Sequence, residues 1–380
     1  MKVFQVFNCS LKKQCSFTDL FLSLAQKAKE RNVALGLVFP EVALMQAQKD
    51  LESFGAHVYA VKESWASISF IAALLKILKK EKPQVVDFHF CDTLNFAALF
   101  LILRVFNIRI VYHYHGEIRP IEELRFKNRH FSKLRYLSFF VDRIVCVSKA
   151  NKKFLEALNI HKKINVIYNG IEVSRFVNAE IKRNFREEMG LNNGESIVTF
   201  IGSLIPRKGI DVLLRAAKDV IKDIPAARFV IVGGGDKKKY QRLAESLGIN
   251  EKVFLLGFME EYPYYILKDT DVYASASFSE SFGLSIAEAQ ILGIPVVATS
   301  VGGVPEVLNN GITGILTPPG DSQALANKII GVLKNDLLRQ GLGKAGRSWI
   351  EENFCMQDRV NEILDLCCGM ASSDSAGTGY

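Results

Sequence analysis

Apolar residues gather along this chain in short blocks. Nearly continuous apolar runs cover residues 3–7, 33–39, 57–61, 85–89, 109–113, 143–147 and 165–167. Runs of that length, rich in Val, Ile and Phe, read as strands buried on both faces. Longer segments with helical periodicity lie between them, such as 19–30 and 67–79. Strand and helix in alternation predict a parallel sheet with right-handed crossovers. Asn169-Gly170 is a turn signal after the last of these strands. Residues 172–195 are polar and charged, contain no good strand, and are read as a domain boundary. A second series follows, with strands over 197–202, 228–232, 253–256, 272–274 and 295–298 and helices over 211–221, 237–247, 285–292 and 322–333. Two successive open α/β domains leave a cleft, and such sheets bind ligands outside the carboxyl ends of their strands. The small, polar tail, residues 371–380, is expected to be disordered.

Composition narrows the class. The 380 residues are 49% apolar and 23% charged, which excludes a disordered chain, a collagen-like repeat and a disulfide-rich mini-protein. The net charge of +8 is unevenly placed: residues 1–170 hold 26 Lys and Arg against 14 Asp and Glu, and the remainder holds 22 against 26. The first part is therefore +12 and the second −4, so the basic half is expected to face an anionic partner. The chain opens on a strand-like run, with no secretory pattern. The longest apolar stretches, 68–78 and 96–103, fall short of the roughly 18–20 residues of a membrane span. Seven scattered cysteines form no C-x-x-C pair, which fits reduced thiols in a cytosol.

The densest chemistry lies at Ser277-Phe278-Ser279-Glu280-Ser281-Phe282-Gly283-Leu284-Ser285-Ile286-Ala287-Glu288. A strand feeds a loop that opens a helix near Ser285; Gly293 ends that helix and Pro295 begins the next strand. Amide groups around Gly283, Leu284 and Ser285 would make a phosphate site, and Glu280 and Glu288 flank it. Carboxylates accept hydrogen bonds from sugar or ribose hydroxyls, although a lone Glu on a helix is more often a solvated residue. A second cluster, Gly202-Ser203 through Arg207-Lys208-Gly209, puts two cations at a strand-to-helix turn, where they could neutralise a diphosphate. A third, Gly233-Gly234-Gly235-Asp236, permits close backbone approach but lacks the dinucleotide spacing. No P-loop occurs. All six histidines lie in the first half. His113 and His115 share one strand face, without a third ligand at metal spacing; for His113 and His89 a structural role is preferred. Basic and aromatic residues are not interleaved as in RNA-binding modules, so no nucleic-acid partner is expected.

Together these motifs resemble the family-4 retaining glycosyltransferases, strongly from Asn165 to about Pro319. The shared elements are Asn169-Gly170-Ile171, Arg207-Lys208-Gly209, Gly233 to Asp236, the E-x7-E pair Glu280/Glu288, Gly302-Gly303-Val304-Pro305-Glu306 and Gly314-Ile315-Leu316. The first half is similar more loosely, through Asp87-Phe88-His89, His115-Gly116 and Cys146-Val147-Ser148. The resemblance implies the GT-B fold, two Rossmann-like α/β domains: an acceptor-side domain over 1–175, a donor domain over 176–348, and a terminal helix, 349–370, returning to the first. It implies a nucleotide-diphosphate sugar as co-substrate, a glycan or lipid-linked acceptor, retention of configuration, and no cofactor or divalent metal. Glu288 would hold the ribose, Glu280 the donor sugar, Phe282 to Ser285 the diphosphate with Arg207 and Lys208, Phe258 and Met259 the base, and His115 the sugar from the other domain. The chain departs from the pattern at Ser203, where many members have Arg, and at Asn8-Cys9-Ser10-Leu11-Lys12-Lys13, where a glycine-rich loop is usual.

The expected activity is sugar transfer in surface-polysaccharide or glycolipid assembly, on the cytoplasmic side, with the basic half in peripheral contact with an anionic membrane. A non-catalytic nucleotide-sugar binder and a sugar-nucleotide epimerase are the alternatives. A nicotinamide dehydrogenase lacks its fingerprint.

Overall fold

The computed structural model describes residues 1–8, 16–40, 45–65, 67–90, 95–116, 118, 129–160, 163–178, 183–259 and 263–372. The chain divides into two compact units, Met1–Gly170 with Met356–Tyr380, and Ile171–Cys355.

The first unit is built on a seven-stranded parallel sheet: β1 (Lys2–Phe7), β2 (Ala34–Phe39), β3 (His57–Ala60), β4 (Val85–His89), β5 (Arg109–Tyr114), β6 (Arg143–Cys146) and β7 (Ile164–Val166). Their order is β3-β2-β1-β4-β5-β6-β7. All five residues of β4 are buried, as expected of a central strand covered on both faces. One face carries helices Ile68–Glu81 and Asn95–Val105, whose Phe70, Leu74, Leu78, Phe96 and Phe100 pack on Phe4, Val86 and Phe88. Ser67 caps the first of these by accepting from the Phe70 amide at 3.1 Å, satisfying one orphan donor of the first turn. The other face carries Ser16–Glu30 and Met356–Ser372. The latter buries Met356, Val360, Ile363, Leu364, Cys367 and Met370, one stripe at helical spacing, against Phe21, Leu24, Leu37, Val85 and Val111.

The second unit has a six-stranded parallel sheet: β8 (Ser196–Ile201), β9 (Ala227–Val232), β10 (Val253–Gly257), β11 (Val272–Ser275), β12 (Val296–Thr299) and β13 (Ile315–Thr317), in the order β10-β9-β8-β11-β12-β13. Helix Ile210–Asp223 buries Ile210, Leu213, Leu214, Ala217 and Val220 on this sheet.

Two expectations about the boundaries are corrected. The break falls at Gly170/Ile171, before the charged stretch, because that stretch contributes buried Phe176 and Phe185 to the second unit. Likewise Trp349 belongs to helix Asp336–Asn353 of the second unit, and the segment packed on the first starts at Met356. The two crossings run side by side: the Ile171 amide donates to the Phe354 carbonyl at 2.8 Å. In the tail, Ala371 and Ser372 close the last helix. Residues 373–380, the loop at 9–13, and Cys9, Cys15 and Cys91 lie outside the described residues. Cys146, Cys355, Cys367 and Cys368 are free thiols, and burial pushes Cys146 up to about 12.

Candidate functional site

In the second unit the strand order reverses between β8 and β11, since β8 crosses over to β9 on one side and β11 to β12 on the other. Open parallel sheets form their ligand crevice at the carboxyl end of such a switch point. The loop after β8 carries Ser203, Arg207 and Lys208; the loop after β11 carries Glu280 to Gly283. They are joined here. Lys208 Nζ meets Glu280 Oε1 at 2.5 Å, and Ser277 Oγ donates to the same oxygen at 2.8 Å. Arg207 donates to the Ser279 carbonyl at 2.8 Å and lies 3.9 Å from Glu280 Oε2. In return, the Phe278 amide donates to the Arg207 carbonyl at 2.8 Å. Gly209 makes this closeness feasible. Its φ is +62°, and a Cβ there would run into the Ala276 carbonyl oxygen.

Helix Leu284–Ile291 starts from Gly283, at φ +100° and with no side-chain cap. The amides of its first turn have no carbonyl within the helix to donate to, and the dipole adds partial positive charge there. Phe282 is buried with its ring 5.4 Å from that of Phe354, so its side chain anchors the loop and only its backbone remains for a ligand. Ser285 hydrogen-bonds Tyr273, whose hydroxyl also donates to the Ile201 carbonyl at 3.0 Å and is pushed up by burial. Tyr273 thus ties β8 to β11 beneath the loops, a role nothing in the sequence marked.

Glu288 is buried on the same helix. Arg175 donates to its Oε1 at 3.1 Å, with the two side chains 13% and 4% exposed. Arg175 was missed because it sits in the charged stretch read as a linker. Ser203 is exposed after β8. A Cβ on Gly233 would meet the Gly202 carbonyl oxygen, so this glycine lets the β8 and β9 loops touch. Phe258 is exposed after β10 and stands against Gly234, while Met259 packs toward the cluster of Val230 and Val232. All the second-unit residues expected from sequence therefore lie at the carboxyl end of one sheet.

The first unit has its own switch point, between β1 and β4. Gln5, Asp87, His89, His113 and His115 collect toward the carboxyl ends of β1, β4 and β5. His113 Nδ1 lies 3.0 Å from Asp87 Oδ2, His89 Nε2 lies 2.8 Å from Gln5 Oε1, and His89 Nδ1 lies 3.0 Å from His115 Nε2. Burial pushes His89 down to about 4 and His115 well below the usual imidazole range. Burial alone would raise the Asp87 carboxyl, but the attraction of His113 and His89 outweighs it and holds the group low. Asp87, His89 and His113 bring three metal-type ligand atoms within 4.8 Å of one another, a cluster the sequence reading did not assemble. The His89 and His113 rings stack at 4.4 Å and 12°. An ion binds in the plane of an imidazole, and one ion cannot lie in two stacked planes, so these groups serve each other instead.

Two doubly wound parallel sheets in succession, with the polar machinery at the carboxyl ends, define the GT-B architecture. Residues 181–349 match the family model described as Glycosyl transferases group 1, and residues 20–175 match Glycosyltransferase Family 4; the chain belongs to this glycosyltransferase family. It is similar to an uncharacterized glycosyltransferase of Methanocaldococcus jannaschii, 31% identical over 243 residues, 61% of this chain and 62% of the relative. It is also similar to the UDP-Gal:alpha-D-GlcNAc-diphosphoundecaprenol alpha-1,3-galactosyltransferase of Escherichia coli, 29% identical over 318 residues, 79% of each chain. The chain thus spans less than two thirds of the first of these relatives. Anabaena HepE, solved with UDP and glucose, shares the fold with a TM-score of 0.77 at 20% identity, over 97% of this chain and all of that one.

Proposed function

We propose that this chain transfers a sugar from a nucleotide-diphosphate donor to a glycan or lipid-linked acceptor in surface-polysaccharide or glycolipid assembly, with retention of configuration and without a divalent metal. The observation that carries the proposal is the junction of Lys208, Arg207 and Glu280 at the β8/β11 switch point, beside the uncapped start of helix Leu284–Ile291. Breaking the bond between the anomeric carbon and the donor phosphate leaves positive charge on the sugar and negative charge on the departing diphosphate. Fixed cations and helix-start amides stabilise that anion without reorganising. The acceptor oxygen bonds the anomeric carbon on the face the diphosphate leaves, and its proton passes to the leaving phosphate oxygen. Glu288 holds the ribose hydroxyls, Glu280 and His115 take hydroxyls of the sugar, and Phe258 flanks the base.

The relatives support the substrate class: the Escherichia coli protein is named for a UDP-sugar donor and a diphosphoundecaprenol-linked acceptor, and HepE was solved with UDP and glucose. A peripheral contact with anionic membrane is supported by the +12 of residues 1–170 and by exposed Leu101, Val105, Phe106, Tyr136 and Phe139 beside exposed Arg104 and Arg135. No helix among the described residues is long and apolar enough to cross a membrane. Ser203, exposed where an Arg is usual, favours a second reading, a binding subunit without turnover.

The test is incubation of purified protein with a panel of nucleotide sugars in chelator, with and without lipid-linked acceptor extracts. Acceptor-dependent release of nucleoside diphosphate is the expected result. Donor bound without turnover supports the second reading. Acceptor-independent conversion of the donor sugar identifies an epimerase.

A further inference from the structure

The buried polar line of the first unit has a direction, and that direction decides what His115 can bind. His89 Nε2 faces two acceptors, Gln5 Oε1 at 2.8 Å and Asp87 Oδ2 at 3.4 Å. A lone pair pointed at a carboxylate with almost no water present would be strongly unfavourable, so His89 Nε2 carries the proton. His89 is neutral, so its Nδ1 is an acceptor. His115 Nε2, 3.0 Å away, must then be the donor, which leaves Nδ1 as the acceptor of the His115 ring. The other direction would need the Gln5 amide turned to donate to His89 Nε2; Asp87 opposes that whichever way Gln5 points. His113 holds Asp87 in place at 3.0 Å, and Asp87 Oδ1 is buried without a hydrogen-bond partner. The rings are fixed as well: His89 stacks on His113, and His115 stacks on Phe90 at 4.4 Å and 21°. Phe90 is held at φ +60°, an uncommon conformation for a bulky residue.

We propose that Asp87 is a positioning residue for His115: through His89 it fixes the hydrogen-bond line so that His115 offers Nδ1 as an acceptor, selecting a hydroxyl group of the substrate and rejecting an anionic oxygen. The phosphate-binding work is thereby left to the cations of the second unit. The proposal rests on the proposed function only in taking that hydroxyl to be on a sugar.

The test uses the full chain with 15N-labelled histidine and long-range 1H–15N correlation at pH 7.5, followed by kinetics. The wild-type spectrum should show His115 protonated at Nε2 and bare at Nδ1. Asp87→Asn lets an amide donate to His89 Nε2, so the line should reverse, with the proton of His115 moving to Nδ1. Transfer should then fall roughly tenfold to a hundredfold in kcat/KM, the loss of one good hydrogen bond and the gain of a donor–donor clash. Gln5→Leu leaves Asp87 in place and should keep the wild-type tautomer. A wild-type His115 protonated at Nδ1 overturns the proposal, as does a reversal caused by Gln5→Leu or none caused by a folded Asp87→Asn. The spectrum needs no turnover, so failure of every donor would count against the proposed function and leave the tautomer result standing. A His115→Ala variant that transfers at the wild-type rate would overturn the hydroxyl contact.

Discussion

The pairing of Arg175 with Glu288 makes the strongest quantitative prediction about the donor unit. The two charged groups are 3.1 Å apart and almost wholly withdrawn from water, and the guanidinium also lies 4.5 Å from the Phe176 ring centre. Arg175→Met keeps much of the side-chain volume and removes the charge, stranding the Glu288 carboxylate. Breaking a buried pair from one side costs about 3–5 kcal/mol, a large part of a domain's typical stability of about 5–15 kcal/mol. Removing both charges with Arg175→Met and Glu288→Gln should restore stability to within about 1–2 kcal/mol of wild type, because no uncompensated charge remains. The single Trp of each unit permits a clean assay. In a Trp65→Phe background, Trp349 alone reports urea unfolding of the second unit. A loss below about 1 kcal/mol for Arg175→Met, or a double variant as unstable as the single one, would refute the view that Glu288 is a buried charge held by Arg175.

Three further outcomes follow from the geometry. Arg207, Lys208 and Glu280 together carry a net charge of +1, so Glu280→Gln should tighten nucleoside diphosphate binding about threefold to fivefold, the worth of a partly exposed ion pair, while transfer falls; calorimetry and turnover assays separate the two. Gly209→Ala forces a side chain into a left-handed conformation against the Ala276 carbonyl, and should cost at least about 1–2 kcal/mol in urea unfolding and weaken diphosphate binding. Acid should weaken the first unit before the second. His89 is held at about 4 when folded and returns to about 6.5 when unfolded, so the unfolded chain binds more protons between those values. That contribution is fully present above about pH 6.5, is lost as the pH falls, and levels off below about 4. From pH 7.5 to pH 5 His89 alone should remove about 2 kcal/mol, read from Trp65 in a Trp349→Phe background; equal stability at both values would contradict the buried neutral imidazole.

The parallel strands were legible because central strands buried on both faces read as unbroken apolar runs. β4 and β9 stand nearly where the pattern put them. β13 was missed: three residues between Gly314 and Pro318 carry too short a signal to register as a strand. Arg175 escaped because its partner is 113 positions away and its neighbours look like a linker. Motif spacing brought Glu280 and Glu288 together, and separately Arg207 and Lys208. It could not show that Lys208 binds Glu280, since that contact depends on how the β8 and β11 loops fold toward one another. In the first unit the pair His113 and His115 was visible from strand alternation. Asp87, His89 and Gln5 joined them only through the register of β1, β4 and β5, which pairs Gln5 with Asp87 and His89 with His113.

The central claim is that a nucleotide-diphosphate sugar is held where the loops after β8 and β11 meet. Amide hydrogen exchange, read by mass spectrometry on the full chain with and without UDP- and GDP-sugars in chelator, tests it most directly. The account predicts slowed exchange in peptides covering residues 203–209 and 280–288 with at least one donor, and loss of that protection in an Arg207→Gln/Lys208→Gln variant. Protection confined to other segments, or none with any donor, would contradict it.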